Sequence, residues 1–501
     1  MRQQLIGGAY VARSVIAACN RCLNYYPEEN PKDSPVPFTY YQRPGLTPLV
    51  QGVNSAVRGI WASSQGQGYC VIGQNVYYIS PNWVLTLLGQ LQVNTGLPCN
   101  FTDNGVTGWL VDGSPYGYQI TLANNAFAQV NDPTGIFTGA NKVDYIDTFM
   151  LWNIPNSPSF GSTLSNELQF DPTYTAAKTN YPDPLVTIVV NRHEIILFGQ
   201  LKSEIWYDAG NALFPFAELP GAYIEHGCDA TYSVASYDIK TYWLGRDKAG
   251  NGIVFSQKGY DTKRISNHAL EYAMEQIVQN GGTLSDAIGY CHQLGGHVFY
   301  VLTFPSADQT WVFDEAISDP MYAWHQRGWT DQNGVVHRER ANCFAYLYGQ
   351  RVVGDWQNGT LYKLDPGQYV DLGPDGVAAP IQCIKTLGGH VTHAMNLQGQ
   401  VVPSEGMTIQ FSALEIDMEV GDGPQNINGQ PAQIGLRWSV DKGKTFGNTV
   451  LRSNGAGGKY LTAPKWGPIG VGRDVVFELS HSIAGPAALN GCWIDATVNA
   501  K

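Results

Sequence analysis

The sequence predicts an all-β fold: a β-propeller of six or seven blades with an irregular N-terminal arm, a small helical insertion and a C-terminal β domain. Three observations lead there. Aromatic-rich apolar pulses recur at roughly forty to fifty residues, the period of a four-stranded blade. Within the pulses apolar residues alternate, and turn pairs such as Asn251-Gly252, Asn358-Gly359 and Asp375-Gly376 punctuate them, as hairpins require. Charged residues make up 14%, against about 25% in an average domain, while there are 56 glycines and 28 prolines, so turns and uncharged polar groups build the surface.

The pulses occupy residues 69–79, 106–120, 143–152, 187–206, 237–255, 297–313 and 342–364. From Val71 to Tyr346 their centres lie about 46 residues apart, with only the fifth interval stretched. Blades contact mainly their neighbours, so a ring grows by addition and is not bound by the ~250–300-residue limit of a single core. The expected organisation is an arm at 1–55, a propeller at 56–380 with a helical insertion near 264–295, and a C-terminal domain at 381–501.

In the arm, Pro27, Pro31, Pro35, Pro37, Pro44 and Pro48 break both helix and central strand, so it is expected to wrap a surface or a neighbouring subunit. The stretched interval holds the one helical pattern, with Ser266 as cap and Leu270, Met274 and Ile277 on one face, expected to project from the ring. Past residue 381 the strands lengthen. Ile416, Met418 and Val420 face one way and Glu415, Asp417 and Glu419 the other, one face core and the other wet or an interface.

A net charge of −12 argues against a protein that grips nucleic acid by neutralising phosphates, though an acidic wall lets a polyanion slide past. No stretch approaches ~18 unbroken apolar residues, so no membrane span is expected. The opening Arg2-Gln3-Gln4-Leu5-Ile6-Gly7-Gly8 lacks the apolar region of a signal peptide, so the chain is expected to start life in a cytoplasm. Nine cysteines then read as reduced, mostly buried thiols. Cys19 and Cys22 are spaced as half a zinc site, but only His390 with His393 offers another tight spacing. The pair reads as core residues, with no metal or cofactor expected.

The sharpest short motif is Ser439-Val440-Asp441-Lys442-Gly443-Lys444-Thr445-Phe446, an Asp box. Asp441 is suited to accept bonds from turn amides, Gly443 to supply positive φ, and Thr445 and Phe446 to lock the returning strand. Its expected role is architectural: Ser439, Asp441, Gly443, Thr445 and Phe446 form a structural turn. Asp boxes also occur in sialidases, so a carbohydrate-active propeller, sialidase-like or lectin-like, is the alternative. Hydrolysis needs two placed carboxylates, whereas Asp314-Glu315 and Glu28-Glu29 are strand neighbours that point to opposite faces. His193-Glu194 diverges likewise; His325, His337 and Arg338 sit among Trp324 and Trp329 without a ligand pattern. Gly455-Ala456-Gly457-Gly458-Lys459 lacks the ending of a phosphate loop and reads as a flexible hairpin tip. No catalytic residue is expected, and the chain is read as a non-enzyme.

Several segments carry a specific resemblance: residues 10–28, ending Asn20-Arg21-Cys22-Leu23-Asn24-Tyr25-Tyr26-Pro27-Glu28; Ser285-Asp286-Ala287-Ile288 leading to 296–305; Thr310-Trp311-Val312-Phe313-Asp314; 353–362; and Arg437-Trp438-Ser439 into the Asp box. Spread from end to end, they resemble the packaged-DNA stabilisation, or tail hub (nozzle), proteins of short-tailed bacteriophages. Cys19 departs from the polar residue that family places before Arg-Cys-Leu-Asn. The resemblance implies a structural virion component: a homohexameric ring below the portal and its adaptor protein that extends the DNA channel. Such a ring retains packaged DNA, passes it during ejection, and docks tail fibres or spikes and tail needle or tip proteins. Double-stranded DNA would traverse the lumen without sequence-specific contact. Localisation would be the virion tail, assembled in the host cytoplasm, and with −12 per copy the lumen is expected to be mainly acidic.

Overall fold

The computed structural model describes residues 2–13, 18–212, 214–388, 393–395, 401–403, 407–421 and 431–498. Seven four-stranded antiparallel units follow one another. Blades 1 to 5 span 57–90, 100–129, 143–177, 185–224 and 235–264, and blade 6 spans 288–330. Blade 7 takes three strands from Ala341–Leu347, Gln350–Asp355 and Thr360–Asp365. Its outer strand is Gly45–Gln51, paired in the register Thr360↔Gln51 to Asp365↔Gly45. Six of these units stand as separate sheets, and blade 6 forms one end of a ten-stranded sheet. Each of the seven sequence pulses falls on the inner hairpins of one blade.

The seams explain why the ring closes. Every neighbouring pair of blades shares its own buried apolar cluster. Trp109 of blade 2 meets Trp152 of blade 3 edge-to-face at 5.6 Å, and Phe198 of blade 4 meets Trp243 of blade 5 at 5.1 Å. The last seam joins blade 7 to blade 1 through Val57, Ile60 and Cys70 against Ala345, Leu347 and Val352, and Asn342 Nδ2 donates to the Val57 carbonyl at 3.1 Å. Apolar burial of ~25 cal/mol per Å2 thus accrues at each seam, and closure leaves no blade with an unpacked flat side.

Buried charges pin two seams. Arg58 in blade 1 pairs with Asp112 of blade 2 at 3.0 Å and donates to the carbonyls of Leu97 and Gly73 at 2.7 and 3.0 Å. Arg43, just before the closing strand, grips Asp371 with two bonds of 3.0 and 2.7 Å, and Asp371 also accepts from the Leu46 amide at 3.2 Å.

The arm differs from the expectation of a wrapping segment, and the propeller starts earlier than residue 56. Residues 45–51 belong to the ring, and other described strands of the arm are stitched into the chain's own sheets. Cys22–Leu23 lies between the outer strand of blade 6, Trp324–Thr330, and Cys383–Gly388, which fuses blade 6 to the C-terminal domain. Tyr25–Glu29 pairs with Phe38–Gln42, and Arg2–Gln4 pairs with 493–495. The physical reason is alternation: Tyr25, Phe38 and Tyr40 give these strands a buried face, while Pro31, Pro35 and Pro37 collect in the connecting loop.

The helix, His268–Gln279, is capped by Asn267, whose Oδ1 accepts from the Leu270 amide at 2.9 Å; the expected cap, Ser266, instead donates to Glu271 at 2.6 Å. Its apolar face does not project. Leu270, Met274 and Ile277 are buried in the cluster shared by blades 5 and 6 and the C-terminal domain. That domain packs two sheets face to face around Phe411 and Phe477, with Ile409–Met418 paired to Leu489–Val498 and Ile416, Met418 and Val420 buried as the alternation predicts. Among the described residues no helix is long and apolar enough to cross a membrane.

Candidate functional site

The Asp box lies between Gln433–Ser439 and Val450–Ser453. Ser439 Oγ donates to Asp441 at 2.6 Å and accepts from the Gly443 amide at 2.8 Å. Asp441 accepts further from the amides of Lys444 and Thr445, at 3.1 and 2.9 Å, and from the Thr445 hydroxyl at 2.5 Å. Gly443 sits at φ 82°, where a Cβ is strained, and Lys442 at φ 70°. Hydrogen bonds from Ser439 and Thr445 hold the Asp441 carboxyl far below the usual range, so it stays ionised. Phe446 lies under the Arg437 guanidinium at 4.9 Å, which Glu478 holds at 2.6 Å. Ser439, Asp441, Gly443 and Thr445 are thus bonded to one another in one turn, and Phe446 packs against the strand beside it.

The carboxylates weighed for hydrolysis are also engaged. Glu315 binds Lys240 and the Tyr242 hydroxyl, and Glu29 accepts from the Ser318 amide and hydroxyl at 3.0 and 2.5 Å. Glu28 and Asp314 do come together, a meeting that strand-neighbour reasoning did not anticipate. Asp314 accepts from His297 Nδ1 at 2.8 Å, and Glu28 stands 3.8 Å from Nε2. Burial opposes charging His297, but the bond and charge of Asp314, with Glu28, outweigh it and raise the pKa. The trio ties the arm to blade 6.

His193, at positive φ, faces Asp147 at 3.0 Å and is largely exposed. His337 binds Asp308 at 2.6 Å and stacks on Trp329, while His325 is buried beside Arg327. Arg338 lies over Trp356 at 4.0 Å. Cys19 and Cys22 are buried, with burial pushing both thiols up to about 11. His390 lies outside the described residues, as does the side chain of His393. Gly455–Lys459 forms the loop after Val450–Ser453, closed by the Lys459 amide on the Ala456 carbonyl at 3.0 Å. Among the described residues no group of three or more His, Cys, Asp or Glu is placed to hold a metal.

A depression of about 1330 Å3 opens on one face of the ring, lined from blades 3 to 5 by residues such as Asn156, Lys202, His226 and Arg246. Two ion pairs lie within its lining, Lys202 with Glu225 at 2.9 Å and Arg246 with Asp229, and Asp247 and Lys248 line it as well.

The profile of the family described as "Phage_stabilise: Bacteriophage P22 Gp10, beta-propeller" matches residues 29–369. No curated protein matches the chain. Similar solved structures include the WD40 β-propeller domain of Doa1, at 8% identity and TM-score 0.37 over 64% of this chain and 98% of that one. Another is YCF48 bound to D1 peptide, at 10% identity and TM-score 0.39 over 65% and 98%. The family match runs from the end of the arm strand Tyr25–Glu29 through the closing blade, the part of the molecule that makes the ring. The chain therefore belongs to the family of bacteriophage P22 Gp10 and is a bacteriophage structural protein built on a β-propeller.

Proposed function

We propose that this protein is the tail hub, or nozzle, of a short-tailed phage. Copies form a ring, six by the resemblance of its motifs, that extends the DNA channel below the portal and its adaptor, retains the packaged genome and passes it during ejection. The outside of the ring docks fibres, spikes or a needle. The observation that carries this reading is the family match across a propeller whose ring is closed by a strand more than three hundred residues away in sequence. Closure gives a rigid unit with few free edges, suited to stacking without open-ended aggregation. The Asp box and the acids are consumed by turns, caps and ion pairs, which supports a structural over a carbohydrate-active reading.

The test is electron microscopy and mass measurement of the purified protein with and without the adaptor protein. A ring of six copies that binds the adaptor is the expected result. A permanent monomer that releases sugar from host polysaccharide, with release abolished by substituting one acidic residue, contradicts it.

A further inference from the structure

The net charge of −12 hides a strong asymmetry along the chain. Residues 59–239 hold fifteen Asp and Glu against four Lys and Arg, a net −11. Residues 437–473 hold seven Lys and Arg against the single acid Asp441, a net +6. A folded chain with two opposite poles is electrically suited to meet a copy of itself head to tail.

The structure turns these counts into surfaces. In a blade of antiparallel strands, the loops from first to second and from third to fourth strand leave on the same face. On blades 2 to 4 that face carries Asp103, Asp147, Glu167, Glu194 and Asp208, all exposed or half-buried, with Arg192 as the cation at these loops, whereas at the same loops of blade 5 Asp238 and Asp261 are offset by Lys240, Lys258 and Lys263. Val106, 63% exposed, adds an apolar point among them. The positive pole is the lobe formed by the Asp-box turn, the strand Val450–Ser453 and the loops that follow. Lys442, Lys444, Arg452, Lys459 and Lys465 are exposed there, and Lys444, Lys459 and Arg473 have no ion-pair partner among the described residues. At its tip Tyr460 is 66% and Leu461 100% exposed. Among the described residues Val450–Ser453 is the last strand of the ten-stranded sheet.

The acidic loops of blades 2 and 3 are remote from the positive lobe within one chain: the lobe belongs to the domain fused to the outer strand of blade 6, and blades 2 and 3 lie across a seven-membered ring from blade 6. Duplex DNA would match the cations but gives a fully exposed Leu461 and Tyr460 nothing apolar to cover them, whereas a protein face with Val106 does.

We propose that the cationic lobe at 437–473 docks on the acidic face of blades 2 to 4 of a neighbouring copy. The contact is heterologous, so repetition builds a ring when the rotation between copies closes. This inference rests on the ring reading above and names the two surfaces that build it.

The test compares the wild type with Lys444→Glu/Lys459→Glu and with Glu167→Lys/Glu194→Lys by mass photometry, with circular dichroism as the check on folding. Wild-type rings are expected to weaken as salt rises from about 50 to about 500 mM, because screening shortens the reach of exposed charges. Either double variant is expected to assemble at least ~10-fold more weakly, and mixing the two to restore assembly, since reversed charges pair again. If folded variants assemble as the wild type does, these surfaces are not the interface although the ring reading stands. If the wild type stays monomeric at all concentrations, the ring reading itself fails and this contact with it. If the lysine variant instead loses affinity for a short DNA duplex while its rings persist, the lobe is a nucleic-acid grip and the docking proposal is overturned.

Discussion

At the scale of single residues, the seams depend on buried charges that are neutralised across them. Arg58 is 2% exposed and Asp112 fully buried, so Arg58→Ala strands a carboxylate in the wall between blades 1 and 2. The expected cost is ~3–5 kcal/mol, read as a lower Tm by calorimetry. An unchanged Tm would contradict the role given to this pair. Buried histidines set the response to acid. Burial pulls His481 down to about 3, and burial together with the Arg327 charge holds His292 and His325 well below the ordinary value. A histidine with a depressed pKa binds more protons unfolded than folded, so its stabilising contribution is full above pH ~6.5 and falls as pH drops. His297 has the opposite sign, because its raised pKa favours the folded state at lower pH. Four lowered histidines, counting His226, which burial also lowers, against one raised predict a Tm that falls from pH 7 to 5, with His481 alone accounting for ~2 kcal/mol of lost stability. A Tm that rises over that range would show that these rings are not held neutral.

At the scale of elements, the strand Gly45–Gln51 decides whether the ring is closed. Leu46 is 1% exposed in the cluster that joins blades 6 and 7. Leu46→Ala is expected to cost ~2–5 kcal/mol and, unlike a cavity elsewhere, to raise amide exchange in the outer strands of blade 7 first. Uniform loss of protection across all blades would mean that closure is not a separable event. This strand was not legible in the sequence. Its partner Thr360–Asp365 is remote, and Pro44 and Pro48 mark the segment as irregular, although an outer strand tolerates proline because one side needs no ladder bonds. The helix cap was missed by one position because Ser266 and Asn267 are both good cappers, and only the tertiary bonds to Glu271 and Val254 occupy Ser266.

At the scale of the whole molecule, the blades were legible because each carries its own alternating hairpins at a constant period, a local signal repeated in all seven. What joins the ring to the C-terminal domain was not, since the two-residue strand Cys22–Leu23 is too short to leave a pattern. The Asp-box turn was legible from eight residues, because its chemistry is contained within its own loop. The meeting of Glu28 and Asp314 on His297 was not, because it brings together residues almost three hundred positions apart. The charge poles lay open to counting, but a single net figure averages them away.

The most direct test of the account is a side-chain-resolution reconstruction of the virion tail. It predicts this propeller repeated around the DNA axis beneath the portal, with neighbouring copies in contact and a mainly acidic lumen. A lumen lined chiefly by Lys and Arg, or a virion that lacks the protein altogether, would contradict it.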